Sequence, residues 1–554
     1  MPTVNDETFD YVIVGAGSAG CVLANRLSEG AANKVLLLEA GGSDRSVFIQ
    51  MPSALSIPMN SAEYDWRYWT EPEPHLGGRQ LHCPRGRVLG GSSSINGMVY
   101  VRGNALDYEG WAAGGAAGWS YADVLPYFQR AETFAEGSDA YRGGAGLLWT
   151  QRGRRTNPLY AAFVAAAAEA GYARTEDMNG YRQEGFGWMD MTIHEGRRWS
   201  TSNAYLKPAL RRANLCVQSG ALATRIVIEN RRACGINYEL AGQTRHAKAA
   251  KEVIISSGPI NGPQLLMLSG VGDGQDLGAH GIDVVHHLKG VGRNLQDHLE
   301  LYIQYRCLQP VSLYSAMRPL AKLGIGLKWL LAKRGLGATN HFESGGFIRS
   351  RAGVPYPDIQ YHFLPLAIAY DGSALVDGHG FQAHVGPMRS KSRGRVLLRG
   401  PDPHQAPSVR FNYMSHDDDW REMRASVRLT REILAQPAMA AYRGDEIAPG
   451  NPVTSDAEID AFVRETVQSA YHPSGTCRMG DDEGAVVDVQ GCVHGMAGLR
   501  VIDSSIMPQI TTGNLNAPTI MIAEKLADAV LGRAPLAPSS APFHQTQDWK
   551  IAQR

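Results

Sequence analysis

No run of 18 or more apolar residues occurs in this chain, so no segment reads as a membrane-spanning helix. There is no surplus of either charge: Lys+Arg and Asp+Glu are each 54, which argues against nucleic acid as a partner. The seven cysteines (21, 83, 216, 234, 307, 477 and 492) are odd in number, scattered, and contain no C-x-x-C pair. That pattern excludes a disulfide framework and a structural zinc, and no metal site is expected. Only ten residues precede the first apolar run, too few for a basic-flanked secretory segment. The expectation is a protein of the cytoplasm, with peripheral contact to the inner face of the cell membrane left open.

What is present starts at Asp10. A β-branched run from Tyr11 to Val14 leads into Gly15-Ala-Gly17-Ser18-Ala19-Gly20, then Cys21-Val-Leu-Ala-Asn-Arg-Leu27, then Lys34 to Leu38 with Glu39-Ala40 behind it. The first run reads as a buried parallel strand. Gly15 permits the tight turn, Gly17 the close approach of a pyrophosphate, and Gly20 the packing of the following helix on the strand. The phosphates then meet a helix N-terminus. Glu39 ends the second strand where a ribose hydroxyl is held, and an acid there argues against a 2′-phosphate. This stretch alone leaves FAD and NAD open.

At 554 residues and 44% hydrophobic, the chain is too long for one core, and two domains or a domain with large insertions are expected. Residues 51–82 read as a loop excursion rich in Trp, Tyr and Pro. Gly90-Gly91-Ser92-Ser-Ser94, between Val88-Leu89 and Ile95-Asn96-Gly97-Met98-Val99, reads as an anion nest. Leu159 to Gly171 reads as a helix. Leu215 to Lys251 alternates like hairpin strands, with a turn at Asn230–Arg232. Lys251 to Ile255 is a further buried strand, followed by a helix over Gly262 to Ser269. Between Cys307 and Gln468 longer strands (Ile359–Phe363, Gly394–Leu398) and a helix (Trp420–Leu434) suggest a domain that shapes a substrate pocket. Arg318 to Arg334 mixes leucines with Lys322, Lys328, Lys333 and Arg334; it reads either as a packed helix with a solvated face or as a basic amphipathic helix on a membrane surface.

Two C-terminal pieces hold the chemistry: Ser469-Ala-Tyr471-His472-Pro473, and Asp503 through Asn514-Leu-Asn516 into a helix whose first turn accepts Pro518. A lone His is usually structural and an Asn before a helix is usually an N-cap. Here His472 is instead a candidate base, with Asn514 holding a substrate oxygen beside it.

These segments, with Arg87-Val-Leu-Gly-Gly-Ser-Ser-Ser-Ile-Asn-Gly97, Ser257-Gly258-Pro-Ile-Asn-Gly and Val291-Gly-Arg-Asn-Leu-Gln-Asp-His298, resemble the signatures of the glucose–methanol–choline (GMC) oxidoreductases. Thr339-Asn-His-Phe-Glu343 and Ile359-Gln-Tyr-His-Phe363 are similar to its choline-oxidising members. The resemblance implies an α/β fold with a Rossmann-like FAD-binding domain built from discontinuous segments (1–158, 212–306, 470–533). An α+β substrate-binding domain with an antiparallel sheet (159–211, 307–469) and a flexible tail (534–554) complete it. It further implies oxidation of a primary alcohol, choline to betaine aldehyde for glycine betaine synthesis or another aliphatic or aryl alcohol. Hydride would pass to flavin N5, with His472 as base and Asn514, or its competitor Asn516, as partner. Electrons would go on to a quinone or dye acceptor. Arg87, Gly90, Gly91, Ser92, Asn96, Gly97, Met98 and Val99 would hug the cofactor, joined by Ala223, Ser257, Gly258, Asp503 and Asn516. Trp66, Tyr471 and Glu343 would cage a quaternary ammonium. In some relatives a His in the Gly-Gly-Ser segment carries flavin covalently; Ile95 stands there, so FAD is expected to be non-covalent. Pro259 also departs from the family pattern. A lyase that keeps its flavin idle and a nucleotide-binding module without chemistry remain as other readings.

Overall fold

The computed structural model describes residues 7–369 and 377–554. The first apolar run forms β1 (Thr8–Val14), followed by α1 (Ser18–Leu27) and β2 (Val35–Glu39). They continue into β3 (Leu215–Ser219), β4 (Ala221–Glu229), β5 (Arg232–Leu240), β6 (Gln243–Ile255) and, far along the chain, β7 (Leu499–Val501). The sheet order is β3-β2-β1-β6-β5-β4, with β7 pairing to the end of β6. β3, β2, β1, β6 and β7 are parallel, whereas β4 and β5 are antiparallel additions.

Two expectations change here. β3 is not part of the hairpin: Leu215 to Ser219 pairs in parallel with Val35 to Glu39, because its apolar residues complete the edge of the buried sheet. The strand at Lys251–Ile255 is the second half of the 13-residue β6, whose first half carries the hairpin. The following helix starts at Gly258, before the expected Gly262, because Pro259 sits in its first turn where no backbone donor is needed.

A second sheet is antiparallel throughout. Its order is Arg443–Ala448, Leu299–Cys307, Gly380–Pro387, Ile359–Leu364, Ser344–Ile348 and Gly185–Trp188. Side chains alternate in direction along each strand. Leu301, Ile303, Tyr361, Phe363, Phe381 and Ala383 join one apolar core with the helices Pro158–Glu169 and Asp417–Leu434. The intervening Glu300, Tyr302, His362, Gln382 and His384 face the other way, into a cavity shared with the first sheet. Leu299–Cys307 thus pairs in this second sheet, so the boundary expected at 306 falls before Leu299. Ser202–Leu206, expected with the substrate-binding part, packs instead into the core around α1.

The stretch after Ala534, expected as a flexible tail, has no helix or strand but is tied along its length. Leu536 N–H donates to Tyr127 Oη, Ser539 N–H to the Ala122 carbonyl, and Gln553 Nε2 to the Arg349 carbonyl. Among the described residues no helix is long and apolar enough to cross a membrane.

α1 is clamped to the C-terminal helix Asn516–Val530 by Glu524, whose carboxylate is fully buried. It accepts from Arg26 Nη2 (2.8 Å), Arg130 Nε (2.9 Å) and Tyr205 Oη (2.9 Å). Removing the anion leaves two guanidinium groups poorly paired beside a core. Glu524→Ala is expected to cost about 3–5 kcal/mol in urea unfolding, against little change for exposed Glu63→Ala.

Candidate active site

Between the two sheets lies a cavity of about 610 Å³. On its first-sheet side three helix N-termini open onto it: α1 at Gly17-Ser18-Ala19, the helix Gly258–Leu268 at Ser257-Gly258, and Asn516–Val530 at Leu515-Asn516. None is capped by the side chain of its own N-cap residue, and of the three only the helix at Gly258 meets an acid, its first N–H donating to Asp503 Oδ2 at 2.8 Å. Their free N–H groups and dipoles favour an anion in this part of the cavity.

The glycine turn behaves as its spacing predicts. Gly15 has φ +97°, and a Cβ there would lie 2.7 Å from the Ser256 carbonyl oxygen. Gly91 has φ +53°, and a Cβ on it would fall 2.6 Å from Gly17 Cα. The two loops therefore meet backbone to backbone, leaving a cleft beside them. Glu39, Ala40, Arg87, Ser92, Asn96, Gly97, Met98, Val99, Ala223 and Asp503 join Gly15, Gly17 and Gly91 on the wall. Gly20 and Gly90 do not: Gly20 faces the Gly15 carbonyl behind the turn, and Gly90 N–H donates to the Ala16 carbonyl at 2.8 Å.

Glu39 ends β2 with one carboxylate oxygen on Ala16 N–H and the other on Gly41 N–H, both at 2.8 Å. Each oxygen keeps a lone pair for a further donor. Burial pushes this carboxyl up to about 7, and the two backbone N–H groups oppose the rise. The hydroxyls of Ser256 and Ser257 on the same wall are buried without a hydrogen-bond partner. Uncapped helix ends, orphan hydroxyls and the bare-backbone cleft fit an elongated dinucleotide.

On the far side, Gln296 and Ser474 exchange backbone hydrogen bonds at 3.0 Å, and Ala470 N–H donates to the His298 carbonyl. This pairing sets His472 against His298. Asp297 holds the loop by accepting from His472 N–H (2.7 Å), Tyr413 Oη and Ser469 Oγ. Tyr471 is left-handed at φ +64°, its carbonyl taken by Arg85 Nη2.

A chain of contacts fixes the tautomers. His298 Nε2 lies 3.1 Å from the Met388 carbonyl, which can only accept, so Nε2 carries the proton. His298 Nδ1 is then an acceptor, and His472 Nδ1–H donates to it at 3.0 Å. His472 Nε2 is left unprotonated, facing the cavity and accepting from Asn514 Nδ2 at 3.1 Å. Burial, then the neighbouring His298, His362 and Arg85, hold His472 well below the usual histidine pKa. It is a neutral imidazole whose Nε2 lone pair is shared with the Asn514 amide.

Asn514 is not a helix cap: the cap position is Leu515. Its Oδ1 accepts from Gln360 Nε2 at 3.2 Å, which turns Nδ2 toward His472. Asn516 instead accepts from Ser18 Oγ at 2.7 Å, on the dinucleotide side. The geometry thus separates two asparagines that the resemblance leaves as competitors.

Trp66 and Tyr471 line the cavity as expected. Glu343 does not. It is 3% exposed, accepts from Thr339 Oγ1 (2.8 Å) and Arg155 N–H (2.6 Å), and lines a second cavity. Phe342 faces the first cavity while its neighbours His341 and Glu343 face the second, as alternation along an extended segment requires. The carboxylate that does enter is Glu300, with His384 Nδ1 3.6 Å away and Tyr302 hydrogen-bonded to it. Its signal in the sequence is a lone acid inside the apolar run Leu299-Glu-Leu-Tyr-Ile303.

The family model described as GMC oxidoreductase matches residues 9–300 with its N-terminal part and 390–523 with its C-terminal part. This chain belongs to the GMC oxidoreductase family. Oxygen-dependent choline dehydrogenase of Photobacterium profundum is 57% identical over 553 residues, covering 99% of this chain and 97% of the relative. That of Brucella anthropi is 58% identical over 547 residues, covering 98% and 100%. Among solved structures, pyridoxine 4-oxidase from Mesorbium loti superposes with a TM-score of 0.87 at 31% identity, covering 95% of this chain and 100% of that one. A formate oxidase variant from Aspergillus oryzae gives 0.90 at 26%, covering 96% and 99%. The GMC chain is an FAD-dependent oxidoreductase, and the dinucleotide wall described above is of the kind FAD needs. Among the described residues no group of three or more His, Cys, Asp and Glu side chains is placed to hold a metal.

Gly91→Ala would drive a methyl group into Gly17. The variant is expected to purify with its flavin absorbance at ~450 nm reduced at least ~10-fold per protein, because the pyrophosphate turn cannot close. Tyrosine and tryptophan fluorescence should still report a folded chain.

Proposed function

We propose that this chain oxidises choline to betaine aldehyde in the cytoplasm, in the synthesis of glycine betaine, with electrons leaving for a quinone or, in an assay, a dye. The observation that carries the reading is one carboxylate, Glu300, set among aromatic side chains in the cavity that the unprotonated Nε2 of His472 faces. The names of the similar Photobacterium and Brucella proteins support it.

A quaternary ammonium offers no ordinary hydrogen-bond donor, so it is held by ring faces and a countercharge. Trp66, Tyr302, Phe342 and Tyr471 supply the rings, and Glu300 the charge. Glu343 is withdrawn from this role. His472 Nε2 takes the hydroxyl proton, and the Asn514 amide donates to the oxygen as its negative charge grows. When bound, FAD supplies the acceptor for the hydride that leaves the substrate carbon. Ser18, Glu39, Arg87, Gly91, Ser92, Asn96 and Ala223 hold that cofactor, with Ser257, Gly258, Asp503 and Asn516 closing round it. Ile95 offers no ring nitrogen, so the hold is non-covalent. Residues before about 299, apart from the helix Pro158–Glu169 and the strand Gly185–Trp188, form the cofactor domain with those after 470, and the antiparallel sheet with its helices forms the substrate domain.

A neutral aryl alcohol fits the rings equally well but leaves Glu300 uncompensated, a poor exchange in a confined cavity. The two substrates separate experimentally. Glu300→Gln is expected to raise KM for choline at least ~10-fold while leaving KM for its neutral isostere 3,3-dimethylbutanol within about twofold. Glu343→Gln should change neither ratio. An equal loss on both alcohols with Glu300→Gln would remove choline from the reading.

The tautomer chain gives a second test. His472→Ala is expected to lower kcat/KM by roughly 10²–10⁴ as a lost general base. His298→Leu touches no substrate but strips the Nδ1 acceptor from His472. It should lower kcat more than it raises KM, and His298→Gln, which can still accept there, should recover part of the loss.

A further inference from the structure

The segment Arg318–Arg334 forms one helix, Pro319–Ala332, and it is oriented opposite to a helix packed through its leucines. Its one buried residue is Trp329, whose indole Nε1–H donates to the Gly196 carbonyl at 2.6 Å. Leu320, Leu323, Leu327, Leu330 and Leu331 are 84, 60, 50, 53 and 84% exposed. At 3.6 residues per turn they form a single stripe on the side away from Trp329. Under the helix lies a cavity of about 470 Å³ that Ala321, Gly324, Ile325 and Lys328 line, so the helix stands off the body.

The charge around this stripe has one sign. From Leu301 to Phe342 the chain holds no Asp or Glu, while Arg318, Lys322, Lys328, Lys333 and Arg334 lie along the helix and at its ends, Lys333 Nζ resting 3.9 Å from the Trp329 ring centroid. Among the described residues none of these five cations is in a salt bridge with an acid, although the whole chain is neutral. The apolar surface continues at Leu336 (38% exposed), in the turn Leu336–Ala338 that packs on Pro52–Ala54. Phe48 and Ile57, on either side of Pro52–Ala54 in the chain, are 44 and 47% exposed. Leu55 and Met59 of the same excursion line the flavin cavity.

We propose that this face docks on an anionic lipid bilayer. The helix lies in the interfacial plane, its leucine stripe at the acyl boundary and its arginines and lysines among the phosphates. A second copy of the chain is the poorer occupant, because a two-fold contact would set this basic cluster against itself. The arrangement stands apart from the alcohol chemistry and survives any change in the substrate reading.

The test uses the holoenzyme and sedimentation with vesicles of phosphatidylcholine alone or mixed with phosphatidylglycerol. Binding is expected with the anionic vesicles, and at least ~10-fold weaker with phosphatidylcholine alone or in about 0.5 M salt. Leu323→Glu/Leu327→Glu should weaken binding to anionic vesicles at least ~10-fold while dye-linked turnover and melting temperature in solution stay unchanged. Lys322→Glu/Arg334→Glu, which leaves the stripe intact, should abolish the preference for anionic lipid. Failure of the wild-type protein to sediment with anionic vesicles at low salt would overturn the proposal, as would undiminished binding of the leucine variant. A wild-type dimer that the leucine variant breaks into monomers, with no lipid binding by either, would assign the face to a second copy instead.

Discussion

The pairing of residues 468–474 along 296–300 is the constraint on which the site depends. It is only a few backbone hydrogen bonds long, yet it joins the chain's return from the second sheet to that sheet's entry strand. From this one register His298 meets His472, Asp297 reaches the His472 amide, and Glu300 projects into the same cavity. A slip of one residue would turn every one of these side chains to the opposite face. The Tyr413 and Ser469 hydroxyls on Asp297, and Arg85 on the Tyr471 carbonyl, oppose such a slip. The left-handed backbone of Tyr471 is tolerated because these bonds over-determine it.

Whatever was local in the chain was legible in its sequence. Gly15, Gly17, Gly20 and Glu39 act through backbone shape within one strand–helix–strand unit, and spacing alone places them. The asparagines near the last helix were legible only as a pair. Their separation depends on which partner each finds, Gln360 for Asn514 and Ser18 for Asn516, and those partners lie far off in the chain. Glu343 and Glu300 show the limit most sharply. Both precede or sit in strands, and both follow recognisable segments. What divides them is parity: Phe342 faces the flavin cavity, so Glu343 cannot, while Leu301 faces the core, so Glu300 must turn toward the site.

Sheet membership failed for a related reason. Leu215–Ser219 alternates well enough to pass for a hairpin strand, but the edge of the parallel sheet lies open beside β2, and burying that edge outweighs the local pattern. The leucines of Pro319–Ala332 are legible as a stripe in sequence, yet a stripe does not say which side it faces. Trp329 decides it, because one indole with a hydrogen bond to Gly196 anchors the helix by its other face.

The electrostatics of the cavity divide along the same line as the two sheets. Uncapped helix ends gather positive potential on the dinucleotide side, which would suit a cofactor that takes up a hydride there. On the substrate side the proposed reaction brings a proton to His472, where burial, then His298, His362 and Arg85, disfavour the imidazolium. A cationic substrate paired with Glu300, as proposed, would add to that pressure. The base therefore binds its proton weakly, which makes abstraction harder than in water and release after turnover easier. In the proposed reaction, stabilisation of the developing alkoxide by the Asn514 amide would offset the first effect. That is why Asn514 is held by Gln360 through its own oxygen: an amide free to turn would present its carbonyl to the alkoxide and repel it.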